Sequence, residues 1–203
     1  DTHLNQWLPQ NNYAGETSFS VRTYDVMAGL LRFDVSSIPP GAEVISATLT
    51  LYASYQSNGN QMDFSLHRVL REWVDSEADW QQPRDSLSWE TAGCNGTTYD
   101  RTLEADAAFH LDAAYQPVAV DVSDLVRHWV AHPSENFGMV FKGGLGGSVE
   151  YRFASAEYTD AGKRPLLQVT YTTTVPTVTP TSTPTGTRTP TRTPTRTSTP
   201  APA

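Results

Sequence analysis

Apolar and polar residues alternate with a period of two in short segments of this chain, and no other feature constrains its fold as strongly. In "ATLTLYA", Leu49 and Leu51 face one side, and the threonines around them face the other. The segment "LLQVTYT" near residue 170 alternates in the same way. Because successive side chains of an extended chain point to opposite faces, both segments are predicted to be strands with one buried face.

Turn signals separate these segments and set the number of strands. The clearest signals are Pro39-Pro40-Gly41 and the stretches 57–60 and 143–147, which are rich in asparagine or glycine. Further strands are expected at residues 2–7, 18–24, 30–35, 64–70, 118–122, 137–142 and 149–155. About ten short strands in roughly 170 residues predict an all-β fold, an antiparallel two-sheet β-sandwich of the jelly-roll type over residues 1–171.

The same alternation predicts the core of this sandwich. It places inside the side chains of Leu31, Phe33, Leu49, Leu51, Leu167 and Val169. One short helix is also expected, with Ser123 as its N-terminal cap. Apolar side chains then follow at helical spacing and form one face, namely Leu125, Val126, Trp129 and Val130.

The distribution of charge argues against several kinds of partner. The 203 residues carry a formal net charge of −8, and three of the 14 basic residues, Arg188, Arg192 and Arg196, lie in a C-terminal stretch without acidic residues. The rest of the chain is therefore strongly acidic, whereas nucleic-acid binding requires a basic surface. No apolar run approaches the roughly 20 residues that span a bilayer. We therefore expect no nucleic-acid partner and no membrane span.

Two further features indicate the cellular location. Cys94 is the only cysteine, so the sequence predicts no internal disulfide and no cysteine-based zinc site. The sequence begins at Asp1 without a methionine, which fits a mature protein whose signal peptide has been removed. We expect a secreted, extracellular or cell-surface protein.

Motifs that carry catalysis are missing from the sequence, so no enzyme is expected. There is no G-x-S-x-G elbow, no H-E-x-x-H pair and no phosphate-binding loop followed by lysine. The run "GGLGGS" lies between two strand patterns and is interpreted as a hairpin turn. His128 and His132 are four residues apart on the expected helix, where they form either a metal pair or part of its solvent-exposed face.

An acidic segment, "EWVDSEADW", is the best candidate for binding a cofactor. Asp75, Glu77 and Asp79 alternate, so an extended loop would direct three carboxylates to one side. Hard oxygen ligands in such a cluster suit Ca²⁺, which is the one cofactor that the sequence suggests. The alternative interpretation is an ordinary solvated acidic loop.

The strand pattern "LLRFDV" has one charged face. Leu31, Phe33 and Val35 point one way, and Leu30, Arg32 and Asp34 point the other way. If this strand shares a sheet with "FASAEY", Arg32 would pair with Glu157. That pair would either fix the register of the sheet as a partly buried ion pair or form the floor of a glycan groove.

Aromatic side chains are the usual platform for a sugar ring, and the chain has five tryptophans and nine tyrosines. Trp73 and Trp129 lie within apolar patterns and are expected in the core. The candidates for glycan binding lie in loop-like sequence and are Trp80, Trp89, Tyr99 and Tyr115. Each of them is alternatively a residue that covers the core.

Several longer segments together resemble one known family. They are "LLRFDVSSIPPGAEVISATLTLY", "HRVLREWVDSEADW", "DVSDLVRHWV", "NFGMVF", "FASAEY" and "RPLLQVTY", and they occur in the order in which that family has them. On these segments residues 1–171 resemble the DNRLRE-domain family of secreted bacterial β-sandwich modules, which overlaps the family 96 carbohydrate-binding modules. The resemblance implies a non-catalytic appendage that in some members binds acidic polysaccharide, and it brings no catalytic residues.

Residues 172–203 form a low-complexity tail in which threonine and proline alternate by parity. From Val175 onward every proline has an even number and every threonine an odd number. In an extended strand the missing proline N–H groups would then lie on one edge, which leaves a threonine edge able to pair with a sheet. The alternative is a flexible polyproline stalk with O-glycosylated threonines. The candidate residues for assembly and glycosylation are Thr177, Thr179, Thr181, Thr183, Thr185, Thr187, Thr189, Thr191, Thr193, Thr195, Thr197 and Thr199.

Three functions remain open at this stage. The first is a structural or adhesive subunit of a glycosylated extracellular filament, in which the tail bridges to other copies of the chain in a head-to-tail homopolymer. A tail of about 30 residues would span about 90–100 Å, more than one sandwich. The alternative is a carbohydrate-binding module that is tethered by a Thr-Pro stalk and has polysaccharide as its partner. An enzyme is the third possibility and lacks any supporting constellation of residues.

Overall fold

The computed structural model of the protein describes residues 1–173. In this range it has ten β-strands and one α-helix. The strands are β1 (Thr2–Asn5), β2 (Ser18–Arg22), β3 (Met27–Leu31), β4 (Glu43–Gln56), β5 (Met62–Arg68), β6 (Ala107–Leu111), β7 (Gln116–Asp121), β8 (Met139–Gly143), β9 (Glu150–Ala154) and β10 (Leu166–Thr172), and helix α1 (Ser123–Ala131) lies between β7 and β8.

The strands form two antiparallel layers. Hydrogen bonds connect them in the order β10-β4-β9-β2-β3-β8-β5-β6, with β1 added to β3 and β7 added to β4. The path turns between β2 and β3, where only Arg22 and Met27 are paired. The two halves then face each other, since the ring of Phe19 in β2 lies 5.5 Å from that of Phe141 in β8. The predicted antiparallel sandwich is therefore confirmed.

The main core lies between these layers and follows the period-two alternation. Leu31, Leu49 and Leu51 are buried there, as the alternation predicts. Phe33, Leu167 and Val169 were expected to be buried as well but are only partly covered. For Leu167 and Val169 the reason is that β10 pairs with β4 alone among the described strands, so it lies at an edge with less of the opposite layer above it.

A second hydrophobic cluster covers the outer face of β1, β3 and β8. The segment between β5 and β6, residues 69–106, folds over this face and buries its own apolar side chains against it. We call this segment the covering loop. The cluster consists of Leu4, Ala28, Leu30, Val69, Trp73, Ala78, Trp80, Trp89, Cys94 and Val140.

The third strand does not have the charged face that the sequence predicted, because the covering loop lies over it. Leu30 is fully buried in the second cluster, and Leu31 is buried in the main core, so β3 is apolar on both sides. The strand ends at Leu31, before Arg32. The predicted pair between Arg32 and Glu157 is not formed in the described part of the chain, because the guanidinium of Arg32 lies over the ring of Trp73, 5.4 Å from its centre.

Helix α1 lies where it was predicted, but Ser123 plays a different role from the one expected. It is the first helical residue, and the capping position belongs to Val122. Its hydroxyl donates to Oδ1 of Asp121 at 2.5 Å and accepts the N–H of Ala47 at 2.9 Å. Ser123 therefore connects the start of the helix to β4, while Leu125, Val126 and Trp129 are buried in the main core.

Two connections differ from the predicted ones. Strand β6 was not predicted, because "AAFHL" contains only one large aliphatic side chain in a polar stretch. The glycine-rich run after β8 is not a hairpin turn, since β8 pairs with β3 and β5 whereas β9 pairs with β2 and β4. It is a crossover between the two layers. No helix within residues 1–173 has both the length and the apolar character required to cross a bilayer.

Candidate functional site

A groove of about 300 Å³ lies on the outer side of β5 and β8, beside the edge of the covering loop. The main-core residues Phe64 and Phe141 point inward from these strands, so their neighbours in sequence point outward into the groove. Its walls come from the turn after β2, from both strands, from the covering loop and from the glycine-rich crossover. The lining residues are Tyr24, Asp25, Ser65, His67, Arg101, Lys142, Gly143, Gly144 and Leu145.

Tyr24 places an aromatic ring at the rim of the groove. Its side chain is 58% exposed, and its hydroxyl donates to the carbonyl oxygen of Gly146 at 2.6 Å. Tyr24 and Asp25 have φ angles of 63° and 55°, in the left-handed region that L-residues rarely adopt. Such strained positions in a turn are concentrated at functional sites.

His67 lies on the floor of the groove, where both of its ring nitrogens have partners. Its Nδ1 lies 3.0 Å from the carbonyl oxygen of Thr102 and 3.2 Å from a terminal nitrogen of Arg101. Its Nε2 lies 3.0 Å from the hydroxyl oxygen of Ser65. Burial and the nearby charge of Arg101 lower the pKa of His67, so the ring is neutral near neutral pH. The imidazole therefore positions its neighbours and supplies no charge.

Arg101 and Asp25 bring opposite charges to the groove. One terminal nitrogen of Arg101 donates to the carbonyl oxygen of Thr102 at 3.0 Å. Its Nε and the Oδ1 of Asp25 are buried, and neither has a hydrogen-bond partner within residues 1–173. Buried polar atoms are nearly always paired in folded proteins, so both atoms have unused capacity for a ligand or for chemistry.

Lys142 lies at the inner end of the groove and is almost completely buried, with 3% exposure. Its Nζ donates to the carbonyl oxygen of Gly93 at 2.6 Å and to Oδ1 of Asn95 at 2.7 Å. Burial lowers the pKa of this amine to about 8. The neighbouring Cys94 thiol is also buried, which raises its pKa to about 12 and keeps it protonated. The Cys94 thiol is therefore a poor nucleophile.

Two of the predicted glycan-binding aromatics are in the protein interior. Trp80 and Trp89 are 8% and 5% exposed and belong to the second hydrophobic cluster. The indole N–H of Trp89 donates to the carbonyl oxygen of Asp79 at 2.9 Å. This burial agrees with the alternative interpretation, in which the two residues cover the core, because the covering loop packs its tryptophans inward against the sheet.

The other two predicted aromatics are exposed but lie in different loops. Tyr99 belongs to the covering loop and is 62% exposed, while Tyr115 is in the turn between β6 and β7 and is 72% exposed. Neither of them lines the groove. A glycan platform formed by Tyr99 and Tyr115 stays a prediction.

The three carboxylates of the acidic segment do not form a common site. Oδ1 of Asp79 accepts the N–H groups of Gln81 and Gln82 at 2.7 and 2.9 Å, so this side chain closes a turn. A carboxylate oxygen of Glu77 accepts the N–H of Asp85 at 2.9 Å, and Oδ1 of Asp75 accepts that of Ser76. Within residues 1–173 no group of three His, Cys, Asp or Glu side chains is arranged to hold a metal ion. The calcium site predicted at Asp75, Glu77 and Asp79 is therefore not supported by their positions.

The histidine pair on α1 has a local explanation. Nε2 of His128 lies 2.8 Å from a carboxylate oxygen of Glu135, and the ring of His128 stacks on that of His132 at 4.7 Å. His132 is exposed and His128 is partly exposed. Both lie on the solvent-facing side of the helix, as the second of the two interpretations predicts.

Sequence analysis did not identify the residues of the groove, because they come from four separate stretches of the chain. One signal was available for Lys142. It is one of only two lysines, and it interrupts the apolar run "GMVFKGG" in a strand. A charged residue in a buried strand requires partners, and this criterion would have selected Lys142 before Trp80 or Trp89.

Comparison with known proteins identifies the family. Residues 1–171 match the sequence profile of carbohydrate-binding module family 96. A search among curated proteins found no significant match. The matched range contains all ten strands but for the last residue of β10, together with helix α1 and the groove. The chain belongs to carbohydrate-binding module family 96.

Proposed function

We propose that this protein is a non-catalytic, secreted module that binds polysaccharide in the groove beside Tyr24. The observation that carries the proposal is the exposed ring of Tyr24. It is fixed at the rim next to buried polar atoms that have no hydrogen-bond partner among the described residues. A sugar ring has an apolar face and a hydroxylated edge. A site that binds it therefore needs an aromatic surface beside a few convergent polar groups.

Arg101 determines the kind of sugar that fits best. Its guanidinium forms directional pairs with carboxylate or sulfate groups. His67 is neutral, and Lys142 is occupied by the covering loop. Among the groove residues that the structure describes, Arg101 is therefore the cation with donor capacity left for an acidic sugar, while Asp25 would accept hydrogen bonds from hydroxyl groups. We propose an acidic polysaccharide, such as a polyuronate, as the ligand.

The small number of carboxylates in the groove supports a binding function without catalysis. Glycoside hydrolases use two carboxyl groups that flank the scissile bond. Asp25 is the only carboxylate among the described residues that line the groove. We propose that the module localises a polysaccharide and does not cleave it.

Alanine variants of the rim and the cation test this site. Tyr24→Ala should weaken binding to a soluble polyuronate by roughly three- to tenfold, because a stacking contact contributes about 0.5–1.5 kcal/mol. Arg101→Ala should weaken it by roughly ten- to a hundredfold, as expected for a charge-assisted hydrogen bond. Isothermal titration calorimetry with polyuronate and with a neutral glucan measures both the affinity and the preference for acid.

Tyr115→Ala is the matched comparison, because this tyrosine is at least as exposed as Tyr24, lies outside the groove and belongs to the alternative platform with Tyr99. It should bind like the wild type. Circular dichroism and a denaturation curve for each variant establish that the fold is retained. Unchanged affinity in well-folded Tyr24→Ala and Arg101→Ala variants, or a loss confined to Tyr115→Ala, would refute the proposed site.

The filament subunit is the second candidate function. The specific observation in its favour is the position of β10, which pairs with β4 alone among the described strands and leads directly into the tail. The free edge of β10 would accept an added strand from another copy through main-chain hydrogen bonds. The threonines of the tail, from Thr177 to Thr199, lie outside the described residues, so tail pairing and O-glycosylation stay predictions.

Deletion of residues 175–203 tests this second candidate. If the tail bridges subunits, the full chain should form polymers at high concentration, and the truncated chain should remain monomeric. Analytical ultracentrifugation and negative-stain microscopy measure both. A monomeric full chain, or polymers that survive the truncation, would leave the tail as a stalk.

A further inference from the structure

Lys142 lies on strand β8 and Asn95 lies in the covering loop, and their side chains meet where the loop covers the strand. Nζ of Lys142, on the outer face of β8, lies 2.7 Å from Oδ1 of Asn95 in the covering loop. The two residues are 47 positions apart in sequence. This is the contact at which the covering loop closes over the strand.

The ammonium of Lys142 forms no salt bridge with any of the described residues. Both acceptors of its Nζ, the carbonyl oxygen of Gly93 and the amide oxygen of Asn95, are neutral. Within residues 1–173 no carboxylate oxygen lies at salt-bridge distance from Nζ of Lys142. The other lysine, Lys163, does form such a pair, with Asp160. A buried ammonium without a counter-ion is costly. Burial lowers the pKa of Lys142 to about 8, so the neutral amine is far more populated near neutral pH than in an exposed lysine.

A buried amine that loses its proton readily and lies 2.7 Å from a side-chain amide is an arrangement suited to acyl transfer. Desolvation makes such a lysine a nucleophile, and the fold holds it against its target without loss of further translational freedom. We propose that Lys142 and Asn95 join in an intramolecular isopeptide bond.

The step balances without an oxidant or a cofactor. Nζ of Lys142 attacks Cγ of Asn95, after rotation of the amide turns Cγ toward the amine, and the carbonyl oxygen takes the electron pair. As the carbonyl re-forms, the bond between Cγ and Nδ2 breaks. One proton passes from Nζ to Nδ2, which leaves as ammonia. The product is one secondary amide between the two side chains.

Asp25 is the group that would carry the proton from Nζ of Lys142 to Nδ2 of Asn95. It lines the same groove as Lys142, and the two groups are near enough that the charge of Asp25 acts on the lysine. Its Oδ1 is buried and has no hydrogen-bond partner in the described part of the chain. A carboxylate in this position can accept the proton from Nζ and pass it to the leaving nitrogen.

The product fits the surroundings of the reactants. The remaining N–H of the new amide can donate to the carbonyl oxygen of Gly93, which Nζ already contacts at 2.6 Å. The uncompensated positive charge disappears. The covering loop becomes covalently attached to β8, so the second hydrophobic cluster can no longer open independently of the sheet.

Mass spectrometry of the purified full chain tests the bond directly. The wild type should be lighter than its sequence mass by one ammonia molecule, and a tryptic digest should contain one branched peptide that joins Lys142 to Asn95. Lys142→Met and Asn95→Ala should have their full sequence masses. Asn95→Asp should instead lose one water molecule, because the same attack on a carboxyl group releases water.

Two further variants separate the roles. Lys163→Met removes the other lysine of the chain, which is in an exposed pair with Asp160, and should lose ammonia like the wild type. Asp25→Ala should keep its full mass. A wild type at its full sequence mass, or an ammonia loss that persists in Lys142→Met, would overturn the proposal. Ammonia loss at the wild-type rate in Asp25→Ala would overturn the role of Asp25.

Discussion

Replacing Asp100 by alanine is expected to lower the free energy of unfolding by about 3–5 kcal/mol, the cost of removing one partner of a buried ion pair. Asp100 is completely buried inside the covering loop. Its carboxylate accepts the N–H groups of Glu90, Thr91 and Gly96 at 2.9–3.0 Å and pairs with Nε of Arg71 at 3.2 Å. The alanine variant removes the acceptor of three backbone N–H groups and the charge partner of Arg71, which keeps only its hydrogen bonds to backbone carbonyl oxygens.

Urea denaturation followed by tryptophan fluorescence measures this effect, since Trp73, Trp80 and Trp89 lie in the cluster that the loop buries. Asp85→Ala is the matched control. It removes an exposed carboxylate from the same loop and should change the stability by at most about 0.5 kcal/mol. A cost below about 1 kcal/mol for Asp100→Ala would mean that the covering loop does not depend on this carboxylate.

Replacing Phe153 by alanine should have an effect of similar size, about 3–5 kcal/mol, through the cavity that it leaves. Phe153 is fully buried in β9, and its ring contacts rings from four other strands. The centroid distances are 5.4 Å to Phe19, 5.4 Å to Phe64, 6.0 Å to Phe109 and 6.3 Å to Phe141. The cavity would open where the two layers meet.

A graded series checks the cause of this second effect. Phe153→Leu leaves a smaller cavity and should cost less than Phe153→Ala when both are measured by thermal and urea unfolding. Tyr115→Ala removes an exposed ring and should be neutral within about 0.5 kcal/mol. Equal stability of Phe153→Ala and Tyr115→Ala would show that the aromatic cluster does not hold the layers together.

The covering loop connects the stability of the protein with its proposed function. Asp100 organises the loop from inside, and the next residue, Arg101, lines the groove. The loop also contributes Asn95, which contacts Lys142 at the inner end of the groove. Replacing Asp100 could displace the covering loop and move Arg101 with it. Polysaccharide binding should therefore also be measured for folded Asp100→Ala protein.

None of the residues that line the groove was predicted to bind a ligand from the sequence, which instead suggested four aromatic residues elsewhere. Loop-like sequence around Trp80 and Trp89 suggested exposed rings. In the structure the loop forms a layer with its own apolar interior, so that both rings are buried. Whether a side chain is exposed depends on the folded surface. Local sequence predicts exposure correctly only where no distant segment of the chain covers the residue.

The sequence by itself determined the fold class, most strand positions, the location of α1 and the inward direction of Leu31, Leu49 and Leu51. These features follow from period-two and helical alternation, which is written into neighbouring residues. Only the tertiary structure decided that Leu30 is buried and that Lys142 meets Asn95 across 47 positions. The physical reason is that such contacts form when the covering loop folds back onto the outer face of the sheet, and no local pattern records which distant face a loop will cover.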